Sequence, residues 1–181
     1  MKIGIVGSGN VASHLVRALK NAGYPIAGIC SRRLSHAENL LNEIGDFEQA
    51  TIATESIEDL FPADVLILAV NDDSILEVAQ VLSKIDPESC VIHTSGSTAL
   101  SLLSEHFPNC GVLYPLQTFS KDRRVKFSSV PFFIEASNKK TLDLISSIAF
   151  NISERVVEMN SEQRRRMHLA AVFACNFVNH C

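Results

Sequence analysis

The sequence predicts an α/β fold, a doubly wound, mostly parallel sheet followed by the start of an all-α region. Three observations predict it. Short apolar runs at 3–6, 26–30, 65–70, 90–93 and 111–114 alternate with segments whose apolar residues repeat at helical spacing. The clearest of these runs, "VLILAV", is apolar throughout, as in a strand covered on both faces. From Asn160 onward the strand pattern stops and only helical periodicity remains. These observations divide the chain into a first domain at 1–159 and the first helix of a helical domain at 160–181.

Each element has a local cause. Ile3 to Val6 is a buried parallel strand ended by Gly7, and Val11, Leu15, Ala18, Leu19 and Ala22 stripe a helix closed by Gly23. Ile26 to Cys30 is the second strand. Ser35 with Glu38 three residues on forms a capping box, and Leu34, Ala37, Leu41 and Ile44 make the inner face of the next helix, which Gly45 ends. Ala50 to Ala53 reads as a strand, Ser56 to Phe61 as a helical turn and Val65 to Val70 as the strongest buried strand. Ile75, Val78, Ala79 and Leu82 stripe a helix before the strand at Cys90 to His93. A helix near Leu100 to Glu105 and strands at Gly111 to Tyr114, Val130 to Glu135 and Ser153 to Met159 follow, with a helix through Leu142, Ile145 and Ile148 between the last two.

Composition narrows the function classes. A chain of 181 residues with net charge −4 has a sizeable core and lacks the basic field that nonspecific nucleic-acid binding needs. Five cysteines, odd in number and never arranged C-x-x-C, argue against a disulfide framework or a zinc knuckle and for reduced, cytoplasmic thiols. No signal peptide or membrane-spanning stretch is expected. The apolar-periodic helix running into Cys181 without a stop signal leads us to expect more helix beyond it. No spacing of His, Cys, Asp or Glu points to a metal, and no G-x-S-x-G points to a hydrolase.

Gly7-Ser8-Gly9-Asn10-Val11-Ala12 has the form G-x-G-x-x-A between a strand and a helix. The first glycine permits the tight turn, the second lets a pyrophosphate approach the backbone, and Ala12 permits close packing of helix on strand. The anion would sit on the free N–H groups of the helix start, beside Gly7, Ser8, Gly9, Asn10 and Val11. The acidic residue that would hold an unmodified ribose should end the second strand, but Ser31, Arg32 and Arg33 stand there. A hydroxyl beside two guanidinium groups suits a 2′-phosphate and points to NADP over NAD. The plainer reading is a pair of solvated surface arginines.

The loop "GSGNVA" with "ADVLILAVNDDSI", "VIHTSGS", "LYPLQTFS" and "HLAAVFACNFVNH" resembles Rossmann-like proteins with a C-terminal domain of unknown function. These are relatives of pyrroline-5-carboxylate reductases and deazaflavin-dependent NADP oxidoreductases. The resemblance spans nearly the whole chain, and the last three segments are its most specific part. It implies a helical C-terminal domain that forms a homodimer interface and closes the substrate cleft, of which this chain holds only the start.

Candidate site residues follow from motif and resemblance together. Val70, Asn71 and Asp72 end the strongest strand, where ligands of such sheets sit, although Asp72 or Asp73 could instead cap the helix that follows. His93 and Ser95 bring an imidazole and a hydroxyl to the same edge, or His93 is a satisfied core histidine. "YPLQTF" is a cleft wall or an ordinary buried turn. On the last helix His168 and Asn176 lie two turns apart, facing a nicotinamide or a dimer interface. In β-hydroxyacid dehydrogenase relatives the corresponding helix carries a lysine and an asparagine, and histidine in place of lysine would donate a proton nearer neutrality. Arg164, Arg165 and Arg166 read as a solvated face or as a site for an acidic substrate or partner.

The expectation is an NADP(H)-dependent oxidoreductase acting on a small carbonyl, imine or redox-cofactor substrate, with His168, His93 and Asn176 as catalytic candidates. The alternative is a non-catalytic NADP(H) sensor or interaction protein.

Overall fold

The computed structural model describes residues 1–45, 47, 51–120 and 125–178, with the backbone alone for 175–178. Among these residues a single sheet has eight strands: β1 (Ile3–Val6), β2 (Ile26–Cys30), β3 (Ile52–Thr54), β4 (Val65–Leu68), β5 (Cys90–His93), β6 (Cys110–Pro115), β7 (Phe132–Ala136) and β8 (Val156–Glu158). Their order is β3-β2-β1-β4-β5-β6-β7-β8. All pairings are parallel except that of β6 with β7. The helices are α1 (Asn10–Asn21), α2 (Leu34–Ile44), α3 (Asp72–Ile85), α4 (Ser101–Ser104), α5 (Lys139–Ile152) and α6 (Ser161–Val178), with a 3-10 turn at Ile57–Leu60.

The fold is the doubly wound, mostly parallel α/β architecture that the alternation predicts. Every residue of β1, β2 and β4 is buried, which accounts for their unbroken apolar runs. Successive residues serve opposite cores. Ile67 packs with Ile5, Leu15 and Leu19 of the β1–α1 unit and with Ile145 of α5, whereas Leu66 and Leu68 pack with Ile75 and Leu82 of α3 and with Phe107. The register pairs Val6 with Leu68, Leu68 with His93 and His93 with Val112, so the carboxyl ends of β1, β4 and β5 are level. The antiparallel β7 starts at this same edge and needs no crossover helix, because the chain returns along the edge after β6.

Several local expectations change. α2 begins at Leu34 with Arg33 as its N-cap and no side-chain cap from its own turn. Ser35 therefore lies inside the helix rather than capping it. The Leu34 amide instead donates to Glu55 Oε1 at 2.9 Å, a carboxylate supplied after β3. Leu34 is exposed, and Ala37 and Leu40 are the buried residues of the inner face. The strand expected from Ala50 is observed at Ile52–Thr54, and Ala50 lies outside the described residues. Asn138 caps α5 by accepting the Thr141 amide at 2.9 Å, which its sequence pattern had not suggested.

α6 is not uniformly solvated at its start. Arg164 is fully buried, ion-paired with Glu135 of β7 and donating to the Thr98 carbonyl at 2.5 Å. Glu135 also accepts from the Ser161 amide at 2.9 Å and from its hydroxyl at 2.8 Å. The reading of Arg164 as part of a solvated run is thus corrected, while Arg165 and Arg166 are exposed and Arg166 pairs with Glu162 one turn back. Further along, Leu169 and Phe173 are exposed at 54% and 65%, so the helix turns apolar surface outward. Among the described residues no helix is long and apolar enough to cross a membrane.

Candidate functional site

The strand order reverses between β1 and β4. Their following segments diverge to opposite sides of the sheet and leave a crevice at its carboxyl edge. A cleft of about 720 Å³ occupies this place. Gly7, Ser8 and Gly9 line it from the β1–α1 turn, Ser31, Arg32 and Arg33 from the end of β2, and Val70 and Asn71 from the end of β4. Eight of the residues singled out in the sequence therefore meet in one cavity.

The two glycines of the turn differ physically. Gly7 has φ +118°, and a Cβ there would lie 2.2 Å from the Ala69 carbonyl oxygen, so it allows the turn to back onto β4. Gly9 is the N-cap of α1 with φ −79° and no side-chain cap. A Cβ on Gly9 would meet nothing within 4 Å, so the glycine holds open space that a side chain would fill. The helix start beside it offers backbone N–H groups and the positive end of the dipole.

At the far end of the cleft Ser8 Oγ and Ser31 Oγ are 2.8 Å apart, joining the glycine turn to the end of β2. Arg32 and Arg33 are exposed, and among the described residues neither forms an ion pair. Glu55 also lines this end, with one carboxylate oxygen engaged by the Leu34 amide. Burial, with help from Asp59 and Glu55, pushes the Cys30 thiol up to about 11, so the cleft floor is uncharged there.

A second cluster lies beyond β4 along the same edge. His93 is completely buried, and its Nδ1 accepts the Ser95 amide at 3.1 Å. That bond places the ring proton on Nε2, which has no hydrogen-bond partner among the described residues. Burial takes the imidazole down to about 3, assisted by the Arg164 guanidinium and opposed by Asp72, so His93 is neutral at pH 7. Ser95 Oγ accepts the amides of Ser97 at 3.1 Å and Thr98 at 2.9 Å, and Ser97 Oγ donates to Asp72. The hydroxyl of Ser95 thus shapes the loop after β5, and Asp72 ties that loop to α3.

Tyr114, near the end of β6, has its hydroxyl 2.8 Å from His168 Nδ1 on α6. Both rings close over Gly96, where a Cβ would lie 2.7 Å from His168 Nδ1 and 2.7 Å from Tyr114 Cζ. A glycine at position 96 is therefore needed for this pair to meet. Asn176 follows on the backbone of α6, and its side chain lies outside the described residues.

Val11 packs against the core, and Asn10 Nδ2 donates to the Phe119 carbonyl at 3.0 Å. His14, Glu135 and the buried role of Arg164 had no local signal, because their partners are 106 residues away for His14 and 29 for the Arg164–Glu135 pair. Among the described residues no group of His, Cys, Asp and Glu side chains could hold a metal ion.

Comparisons with known proteins agree with this architecture. Residues 2–96 match the family model described as NADP oxidoreductase coenzyme F420-dependent. Residues 130–181 match the one described as Domain of unknown function (DUF2520), which takes in β7, α5, β8 and α6. A Bacteroides fragilis protein described as an NADP oxidoreductase is 37% identical with a TM-score of 0.86, over 99% of this chain and 68% of that one. A pyrroline-5-carboxylate reductase from Coxiella burnetii is 22% identical with a TM-score of 0.67, over 90% of this chain and 60% of that one. Prephenate dehydrogenase from A. aeolicus, solved with hydroxyphenyl propionate and NAD+, is 16% identical with a TM-score of 0.75, over 91% of this chain and 61% of that one. The last two share the fold. The chain thus spans between 60% and 68% of the length of these solved relatives. No curated protein matches it. With its glycine turn, its strand order and a family match over more than half its length, the chain belongs to the coenzyme F420-dependent NADP oxidoreductase family and carries a domain of unknown function (DUF2520) at residues 130–181.

Proposed function

We propose that this chain binds NADP(H) at the carboxyl edge of its sheet and forms the cofactor-binding part of an oxidoreductase acting on a small carbonyl, imine or redox-cofactor substrate. The observation that carries this reading is the cleft that joins the open Gly9 cradle to Ser31, Arg32 and Arg33, with no acidic residue closing β2. When bound, the cofactor supplies or accepts the hydride. The α1 start and Ser8 hold the pyrophosphate, Ser31 meets the ribose, and Arg32 and Arg33 hold the 2′-phosphate through charge-assisted hydrogen bonds. The engagement of Glu55 by Leu34 supports the assignment, since that carboxylate already serves a helix start.

Proton handling falls to His168. Its Nδ1 lies 2.8 Å from the Tyr114 hydroxyl, and in the tautomer where that hydroxyl is the donor the ring proton stands on Nε2 for delivery to a substrate oxygen or nitrogen. His93, neutral and buried, is suited to orienting the loop after β5 rather than to donating protons. Asn176, two turns along α6, is a second polar group for the same substrate. The exposed Leu169, Val172 and Phe173 support a helical region from α6 onward that pairs two copies of the chain, and the free Cys30, Cys90 and Cys110 suit a reducing, cytoplasmic setting.

Fluorescence titration tests the cofactor assignment. The chain should bind NADPH more tightly than NADH, and Arg32→Ala combined with Arg33→Ala should weaken NADPH by about 30- to 100-fold, roughly 2–3 kcal/mol of lost charged hydrogen bonds. NADH affinity should hardly change. Equal affinity for both nucleotides in the unaltered chain would remove the 2′-phosphate assignment.

For the catalytic assignment, His168→Ala should lower kcat by about a hundredfold or more once a substrate is in hand. The Kd for NADPH should stay within about twofold. Retained turnover would exclude His168 as the proton donor.

A further inference from the structure

The acidic residue absent from the end of β2 has a counterpart one strand away. β2 and β3 run parallel with Cys30 opposite Thr54, so Glu55 follows β3 at the level where Ser31 follows β2. The Ser31 amide donates to the Thr54 carbonyl at 2.9 Å and ties the two strand ends together. The turn after Thr54 is fixed as well, because the Thr54 hydroxyl accepts the Ser56 amide at 2.9 Å and donates to Asp59 Oδ2 at 2.5 Å. Glu55 stands on this turn, and its Oε1 accepts the Leu34 amide at 2.9 Å.

That bond occupies one oxygen and leaves the charge. Glu55 is exposed and lines the same end of the cleft as Arg32, Arg33 and His36. Among the described residues it forms no ion pair, so neither arginine neutralises it. After burial and Asp59, it is Glu55 that raises the Cys30 thiol on the cleft floor, so its charge acts into the cleft. Two guanidinium groups and one carboxylate therefore meet where a 2′-phosphate, itself close to a dianion at neutral pH, would lie.

Resting on the NADP(H) reading, we infer that Glu55 is a specificity-determining residue: its carboxylate opposes the 2′-phosphate that Arg32 and Arg33 attract, and so sets how strongly the site separates NADPH from NADH. A repulsive group placed against one of two competing ligands changes their ratio as surely as an attractive group placed for the other. The ribose of NADH brings no charge to this end of the cleft, which makes its binding indifferent to the charge of residue 55. The arginines outnumber the carboxylate, so the chain keeps its preference for NADPH, at a smaller ratio than the arginines alone would give.

Calorimetric titration of the 181-residue chain and of Glu55→Gln and Glu55→Lys uses NADPH, NADH and adenosine 2′,5′-bisphosphate. Residue 55 is exposed, so neither substitution touches the core, and glutamine keeps an acceptor for the Leu34 amide while removing the charge. NADPH and the bisphosphate should bind Glu55→Gln about five- to tenfold more tightly, and Glu55→Lys more tightly again, with NADH within about twofold throughout. A role confined to capping α2 would not order the three chains by charge. Unchanged NADPH affinity in Glu55→Gln, or equal shifts for NADPH and NADH, overturns the inference. If the unaltered chain binds neither dinucleotide, the nucleotide reading itself fails and this inference with it, an outcome distinct from NADPH binding that ignores residue 55.

Discussion

Valine in place of Gly9 is expected to abolish nucleotide binding and leave the fold intact. The backbone at Gly9 has φ −79°, which any residue adopts, and the added side chain would enter open space rather than another part of the protein. That space is the cradle at the start of α1, so the valine would stand where the proposed pyrophosphate meets the backbone. Affinity for NADPH should drop about a thousandfold, the equivalent of some 4 kcal/mol, while the thermal transition moves by no more than a few degrees. Gly7→Ala is the contrasting control. It forces a side chain onto a backbone at φ +118° and within 2.2 Å of the Ala69 carbonyl, so it should lower stability directly. Titration and thermal melting of both variants check the pair. Undiminished NADPH binding by Gly9→Val would show that the glycine turn is not the nucleotide site.

Arg164→Met is expected to destabilise the chain by about 3–5 kcal/mol, because it leaves the Glu135 carboxylate without its cation at the base of α6. Glu135 would keep its two bonds from Ser161 but lose the charge that balances it, and the Thr98 carbonyl would lose a donor. A native domain has only about 5–15 kcal/mol in hand, so the loss should appear as a large fall in the urea midpoint. Adding Glu135→Gln to the same chain should recover part of it, since no buried charge then remains unpaired. Arg165→Ala, one position along and exposed, should leave the midpoint where it is. Equal effects of Arg164 and Arg165 substitutions would refute the buried anchor.

The anchor also bears on the site. Arg164 and His168 are one helical turn apart, so the contacts that seat Arg164 on Glu135 and Thr98 also bring His168 to Tyr114 over Gly96. A structural ion pair and the proposed proton donor thus occupy the same face of α6.

Sequence alone determined the features that local physics controls. The unbroken apolar runs required strands buried on both faces, the helical stripes between them required crossovers, and G-x-G-x-x-A after β1 marked the turn at which the strand order reverses. The pairing of Ser31, Arg32 and Arg33 with that turn was also legible, because parallel neighbours in a βαβ unit must end at the same edge. Tertiary structure decided everything that depends on distant partners. Glu55 caps α2 in place of Ser35, Glu135 turns Arg164 from a surface charge into a buried one, Phe119 and Ser120 claim Asn10 and His14, and burial holds His93 neutral while His168 meets Tyr114. The physical reason is the same in each case. Propensity and periodicity act over one or two turns of chain, whereas desolvation and hydrogen-bond satisfaction depend on which groups the completed sheet brings within about 3 Å.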